Sequence, residues 1–215
     1  MRLDTEGLFI QVSGITSEAD ALFAVALGAD AVAFDFAPTP RQVSTSVVHD
    51  IVRRLPPSVV TVGCFQSEMP ERVVEITNTL GLSVAQVGGA MSSSSLRYVS
   101  ERVRTVVRSV RTPQQAYAHD VDEGVDYLLL PDSDQSEDLE NCRGVLSDPL
   151  VLRPLIASGL GPATVAEFVE LYGVWGVDAL GAIESAPGVK DAVKMGEFIA
   201  RAREAWRRKA DAAAG

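Results

Sequence analysis

The 215 residues contain only two cysteines and two histidines. Cys64 and Cys142 show neither the Cys-x-x-Cys spacing of a zinc or redox site nor the density of a disulfide framework. His49 and His119 fall on expected helices with no other ligand types at a metal-binding spacing, so no metal is expected. Positive charge is also short. Lys and Arg number 19 against 29 Asp and Glu, a formal charge of −10. Most of the surface should therefore repel a nucleic-acid backbone or an anionic membrane, and neither is an expected partner. An anionic ligand would need a locally built positive site. Long apolar runs are missing as well, since none approaches the roughly 20 residues that span a bilayer. Nothing before Leu8 resembles a secretory leader. A reducing cytoplasm is the expected compartment.

Hydrophobic residues at 47% and charged residues at 22% suit a globular chain and exclude disorder as a global description. The length allows one sizeable core. The pattern along it is strand then helix, repeated. Leu8 to Val12 is β-prone and ends at Ser13-Gly14-Ile15-Thr16; a helix follows, with Ser17 and Asp20 spaced as a capping box, and stops at Gly28. Ala31 to Phe36 is the second strand, followed by the loop Ala37 to Ser44 and a helix from about Thr45 to Leu55. Val59 to Phe65 is the third strand, and Pro70 opens the next helix. Ser83 to Val87 is the fourth strand and Val103 to Val110 the fifth, interrupted by arginines. Thr112-Pro113 starts a helix to about Glu123. Asp126 to Pro131 is the sixth strand, running into the acidic loop Asp132 to Asp138. The unit after it, Leu146 to Leu152, is short and carries Pro149, so no helix is assigned.

One phrase recurs where helix gives way to strand: Gly28-Ala29-Asp30, Gly124-Val125-Asp126 and Gly176-Val177-Asp178, with Gly81-Leu82-Ser83 as a looser copy. Each glycine suits the left-handed residue that ends a helix. The copies lie about 50 residues apart, room for two βα units per interval and eight in the chain. The expected architecture is a single (βα)8 barrel over residues 1–215, with an alanine-rich tail at 209–215 that frays. An open doubly wound sheet shares the same spacing and is the alternative.

The last quarter packs two such units together. Pro154 to Ala157 is a strand that breaks at Ser158-Gly159 and Gly161-Pro162, before a helix from about Ala163 to Leu171. Val177 to Leu180 is the last strand, with Gly181-Ala182 as its turn, and Pro187-Gly188 leads to a helix from Lys190 to Arg208. Two small-residue turns that open onto helices can hold an anion such as phosphate on bare N–H groups. The same glycines can equally serve only the tight turns. Asp35 stands out between Phe34 and Phe36 in a strand that otherwise reads as buried; a buried carboxylate needs a partner or a purpose, a rim salt bridge or a base. Cys64 reads as a small hydrophobe in its strand.

These residues resemble the phosphoribosylanthranilate isomerase family, (βα)8 barrels of tryptophan biosynthesis, over nearly the whole chain. Val12-Ser13-Gly14-Ile15-Thr16 is similar to that family's ICGIT, Gly28 to Phe34 with Pro38 to Ser44 to its GADAxGFxF…PxSxRxVS, and Val62-Gly63-Cys64-Phe65 to its VGVF. Val177-Asp178, Glu184 and Pro187 to Asp191 are similar to VDVSSGVE…PGxKD. The resemblance implies an Amadori rearrangement of N-(5-phosphoribosyl)anthranilate, without metal or cofactor. It places the general acid at Asp132, the general base at Ser13, an anthranilate-carboxylate contact at Arg41, and phosphate on Ser158, Gly159, Gly181 and Ala182.

The chain also departs from that family. Its cysteine base is Ser13 here, and a hydroxyl is a far weaker acid than a thiol. The family's QLHG is Gln86-Val87-Gly88-Gly89, its glycine-rich loop after strand six is the acidic Asp134 to Glu140, and its SSG is Leu180-Gly181-Ala182. The implied activity is an isomerase slowed at proton abstraction. A lapsed barrel that binds a phosphorylated ligand or a protein partner, and an enzyme on another sugar phosphate with Asp35 as base, are the alternatives.

Overall fold

The computed structural model describes residues 7–88, 90–112, 115–116, 123–130, 144–146, 155–172 and 174–214. Eight parallel strands close into a barrel in chain order: β1 (Phe9–Val12), β2 (Ala31–Asp35), β3 (Val60–Phe65), β4 (Val84–Gly88), β5 (Val106–Ser109), β6 (Tyr127–Leu129), β7 (Leu155–Ala157) and β8 (Gly176–Ala179), with β8 paired back onto β1. The described helices are α1 (Glu18–Ala26), α2 (Thr45–Val52), α3 (Pro70–Thr79), α4 (Ser93–Ser100), α5 (Val165–Tyr172) and α6 (Ala192–Ala214). The open sheet is thereby excluded. Asp132, expected as the general acid, the acidic loop Asp134 to Glu140, most of the helix expected from Thr112 to Glu123, residues 147–152 of the unit around Pro149, Gly89, His119 and Cys142 lie outside the described residues.

Local chemistry sets the helix ends. Ser17 accepts the Asp20 N–H and caps α1, as its spacing predicts, and Ser44 and Ser92 cap α2 and α4 in the same way. Gly28, Gly81 and Gly124 have φ of +98°, +65° and +81°, the left-handed geometry that closes a helix. Gly176 does not share it. It lies inside β8 opposite Phe9, and a Cβ there would come within 3.1 Å of the Phe9 ring and carbonyl, so this glycine makes room in the barrel. β5 begins at Val106, later than the expected Val103, because Val103 still bonds back to Val99 at the end of α4. The tail expected to fray from residue 209 continues α6 to Ala214, in keeping with the helix propensity of its alanines.

Because side chains alternate across each strand, one set packs outward beneath the helices and the other fills the barrel. Leu8, Ile10, Val12, Val32, Phe34, Ala85, Val87, Leu128 and Val177 belong to the outer core. Phe9, Ala31, Ala33, Val62, Val84, Val107, Tyr127, Leu129 and Ile156 form the inner one. Its lower end is filled by Trp175, whose ring lies 4.8 Å from Phe9 and 4.5 Å from Tyr127. One step further along the strands the inward positions turn polar: Gln11 on β1, Asp35 on β2, Gln86 on β4 and Asp178 on β8. After β8 the chain makes a 3₁₀ turn (Gly181–Ile183) and an antiparallel hairpin of β9 (Glu184–Ala186) and β10 (Val189–Lys190) before α6. That hairpin replaces the direct entry into a helix that Pro187-Gly188 suggests.

Candidate active site

A cavity of about 300 Å³ opens at the C-terminal ends of the strands, lined by Ser13, Asp35, Cys64, Gln86, Ser109, Ser158, Asp178 and Leu180 among others. Its floor is a buried polar network. Ser13 Oγ donates to Asp178 Oδ1 at 2.6 Å, and Ser158 Oγ donates to Asp178 Oδ2 at 2.9 Å. Gln11 Nε2 donates to Ser13 Oγ at 3.0 Å and to Gln86 Oε1 at 3.1 Å. Asp178 is 2% exposed, and the two hydroxyls offset part of the cost of removing its charge from water. Ser13 thus meets a carboxylate directly, a contact that its position in the sequence does not reveal.

Arg41 comes from the loop after β2 and crosses to the far side of the chain. Its Nε lies 2.9 and 3.1 Å from the two oxygens of Glu184, and Nη2 lies 2.8 Å from Oε2. Glu184 Oε1 also accepts from Lys190 Nζ at 3.0 Å and from the Gly188 N–H at 3.2 Å. The Lys190 side chain is fully buried and donates to the Leu180 carbonyl as well. Burial would raise the Glu184 carboxyl, but hydrogen bonds from Arg41 and Lys190, with their charges, hold it below its ordinary range. Burial pulls the Lys190 ammonium down despite that carboxylate. A Cβ on Gly14 would lie 2.8 Å from Arg41 Cδ, and one on Gly181 would lie 3.6 Å from Nη2. Arg41 is therefore laid across the turns after β1 and β8.

The turns after β7 and β8 lie side by side. β7 pairs with β8 through Ile156↔Gly176 and Ala157↔Val177, and a Cβ on Gly161 would come within 3.1 Å of the Ala182 Cβ. Gly159 takes φ +75°. Ser158 spends its hydroxyl on Asp178.

Asp35 makes no rim salt bridge among the described residues. Its carboxylate accepts the Ala37 N–H at 3.0 Å and the Thr39 hydroxyl at 2.6 Å, which folds the start of the Arg41 loop back on itself. Cys64 is not only a packing residue, since it lines the cavity. Burial pushes its thiol well above the ordinary range, and the charges of Asp35 and Asp178 add to that. Asp178, Gln11 and Gln86 belong to the site although the sequence reading did not assign them to it. The signal was present: each is a polar residue in a strand otherwise buried on both faces, the same irregularity that singles out Asp35.

The profile of N-(5'-phosphoribosyl)anthranilate isomerase matches residues 10–201. N-(5'-phosphoribosyl)anthranilate isomerase of Chlorobaculum parvum is 33% identical, over 91% of this chain and 95% of that protein. The enzyme of that name from Solibacter usitatus is 35% identical, over 92% and 98%. Among solved structures, phosphoribosyl anthranilate isomerase of Thermotoga maritima superposes with a TM-score of 0.81 at 28% identity, covering 92% of this chain and 99% of that one. A phosphoribosyl anthranilate isomerase crystallised with reduced 1-(o-carboxyphenylamino)-1-deoxyribulose 5-phosphate gives 0.79 at 30% identity, with the same coverage.

Proposed function

The chain belongs to the N-(5'-phosphoribosyl)anthranilate isomerase family, and on that premise we propose how its residues share the work. It is an intramolecular oxidoreductase of the aldose–ketose class, acting in tryptophan biosynthesis on a phosphorylated small molecule. Asp132 is the general acid that protonates the ring oxygen as the furanose opens, and Ser13 is the group that meets the C2 proton. Arg41 receives the anthranilate carboxylate. Backbone at Gly159, Gly181 and Ala182 holds the phosphate, beside Ser158. No metal or cofactor is required, because both proton transfers fall to side chains. Asp35 holds the Arg41 loop through Ala37 and Thr39 rather than acting as the base. No described helix is long and apolar enough to cross a membrane, and cytoplasm is the proposed compartment.

The observation that carries this reading is the position of Ser13. It stands where strand β1 ends, at the cavity floor, in hydrogen-bond contact with a buried carboxylate. Expression of the chain in a tryptophan auxotroph that lacks the isomerase should restore growth, and the purified protein should quench the fluorescence of enzymatically generated phosphoribosylanthranilate. Asp132→Asn should abolish both. Failure to restore growth, joined to unchanged fluorescence, would sink the reading.

A further inference from the structure

We infer that the proton removed from substrate C2 comes to rest on Asp178, with Ser13 as the hydroxyl that relays it. This rests on the isomerase reading above. A serine hydroxyl alone is no base near neutral pH, and the family's thiol is absent from this position. The structure supplies a different acceptor. Ser13 Oγ gives its own hydrogen to Asp178 Oδ1 at 2.6 Å, a length typical of a hydroxyl on an ionised carboxylate. It receives one hydrogen from Gln11 Nε2, whose other N–H is used on Gln86. The rotor is thereby fixed, with the hydrogen on Asp178, one lone pair on Gln11, and one lone pair left on a side chain that lines the cavity.

The step balances. The C2–H bond breaks and its electron pair becomes the C1=C2 bond, neutralising the iminium nitrogen formed on ring opening. The proton joins Ser13 Oγ as the proton already there passes to Asp178 Oδ1. Run backwards, the same relay delivers a proton to C1, while the C2 hydroxyl proton returns to the acid that opened the ring. No full alkoxide forms, because the serine gains one proton as it loses another.

The other candidate bases nearby are weaker. Cys64 on β3 is held as a neutral thiol, and Asp35 on β2 is bound by the Ala37 N–H and the Thr39 hydroxyl. The charge of Asp178 is felt by Cys64, whose ionisation it disfavours, and by Lys190 from β10, whose ammonium it favours. Ser158 from β7 supports the second carboxylate oxygen. Lys190 is itself paired with Glu184, and Glu184 with Arg41.

The test compares the full-length wild type with Asp178→Asn, Asp178→Glu, Ser13→Ala and Ser13→Cys. Asp178→Asn should lower kcat by roughly 10²–10⁴-fold with little change in KM. Asp178→Glu should recover part of that loss, since a carboxylate is needed and not merely a hydrogen-bond acceptor. Ser13→Ala should cost at least about tenfold. The wild type should give a bowl-shaped proton inventory in mixed H₂O and D₂O, the mark of two protons in flight. Its kcat should fall only on the acid side, while Ser13→Cys should move that limb toward the thiol range near about 8.5. If Asp178→Asn fails to fold, the proton inventory and the Ser13→Cys limb still decide the matter. Activity of Asp178→Asn equal to or above Asp178→Glu, a linear inventory, or a wild-type limb in the thiol range would overturn the relay. An active wild type with an equally active Asp178→Asn overturns this inference alone, whereas a wild type without turnover overturns the isomerase reading with it.

Discussion

Arg41 and Glu184 are 143 residues apart and meet through three contacts of 2.8 to 3.1 Å, tying the loop after β2 to the hairpin that follows β8. This clamp closes the barrel mouth across its β1–β8 seam. It also fixes the direction in which the guanidinium can face a ligand, and Lys190 beneath it is a buried cation held by the same carboxylate. Glu184→Gln keeps the shape but leaves Lys190 without its counter-charge. Breaking a buried pair in this way costs about 3–5 kcal/mol, or about 6–20 °C in Tm for a chain of this size. Thermal unfolding should show that loss. Steady-state kinetics of the same variant should show KM raised about tenfold, with kcat less affected, if Arg41, proposed to receive the anthranilate carboxylate, is displaced. A variant with wild-type Tm and KM would show that the clamp is incidental.

The same pair makes acid stability predictable. The Glu184 carboxyl is held below its ordinary value in the folded protein, so the folded state binds its proton less tightly than the unfolded chain. Its stabilising contribution is complete above the unfolded-state value, near pH 4.5, and is lost as pH falls through the lower folded-state value. Tm measured from pH 7 to pH 3 should drop more steeply for wild type than for Glu184→Gln, with the two curves converging at the acid end. Parallel curves would rule out this linkage.

Gly14 separates catalysis from stability less cleanly, which makes it informative. Its φ of +69° costs a non-glycine residue about 1–2 kcal/mol, and a Cβ would lie 2.7 Å from Leu180 Cδ1 and 2.8 Å from Arg41 Cδ. Gly14→Ala should therefore move both cavity-mouth side chains. The expected result is a KM increase of about tenfold, equivalent to about 1.4 kcal/mol of binding, alongside a lower Tm. Unchanged KM with lowered Tm would mean that Arg41 adjusts without leaving its position against the ligand.

How far these features were legible in the sequence depends on the length scale of the force that made them. The barrel was readable because short apolar runs buried on both faces, the Ser17 cap and left-handed glycines are local. Gly28, Gly81 and Gly124 behave as that reading expects. Gly176 carries the same phrase yet serves a different need, since what demands its missing side chain is Phe9, brought opposite by the closing of β8 onto β1. The site was readable only as positions. Ser13 looks inert in sequence because its carboxylate partner lies 165 residues away, and Arg41 looks like a free loop cation because Glu184 lies 143 residues away. The hairpin after β8 escaped notice because its two strands have only 3 and 2 residues, too few to show a period.

The final prediction concerns the end of the cavity proposed to hold phosphate, where the turns after β7 and β8 touch. Gly161 is not in the left-handed region, so alanine is sterically allowed there by the backbone. Its Cβ, however, would lie 3.1 Å from the Cβ of Ala182, a short and stiff side chain that cannot swing away. The two turns must then separate by a few tenths of an ångström, which is enough to disturb N–H groups converging on one anion, because such bonds weaken steeply with distance and angle. Gly161→Ala should consequently weaken inorganic phosphate binding and raise KM by roughly tenfold, about 1.4 kcal/mol, while folding stability changes by no more than about 1 kcal/mol. Gly196→Ala is the matched control. That glycine lies in α6, and its added Cβ would meet only Leu27, at 3.8 Å, an ordinary contact. It should gain about 1 kcal/mol of stability from helix propensity and leave phosphate binding untouched. The measurement is a titration with inorganic phosphate followed by amide chemical shifts at Gly159 and Gly181. Shifts at both glycines in wild type and in Gly196→Ala, reduced in Gly161→Ala, would place the anion between the two turns. Absence of any shift in the wild type would remove the anion from this end of the barrel.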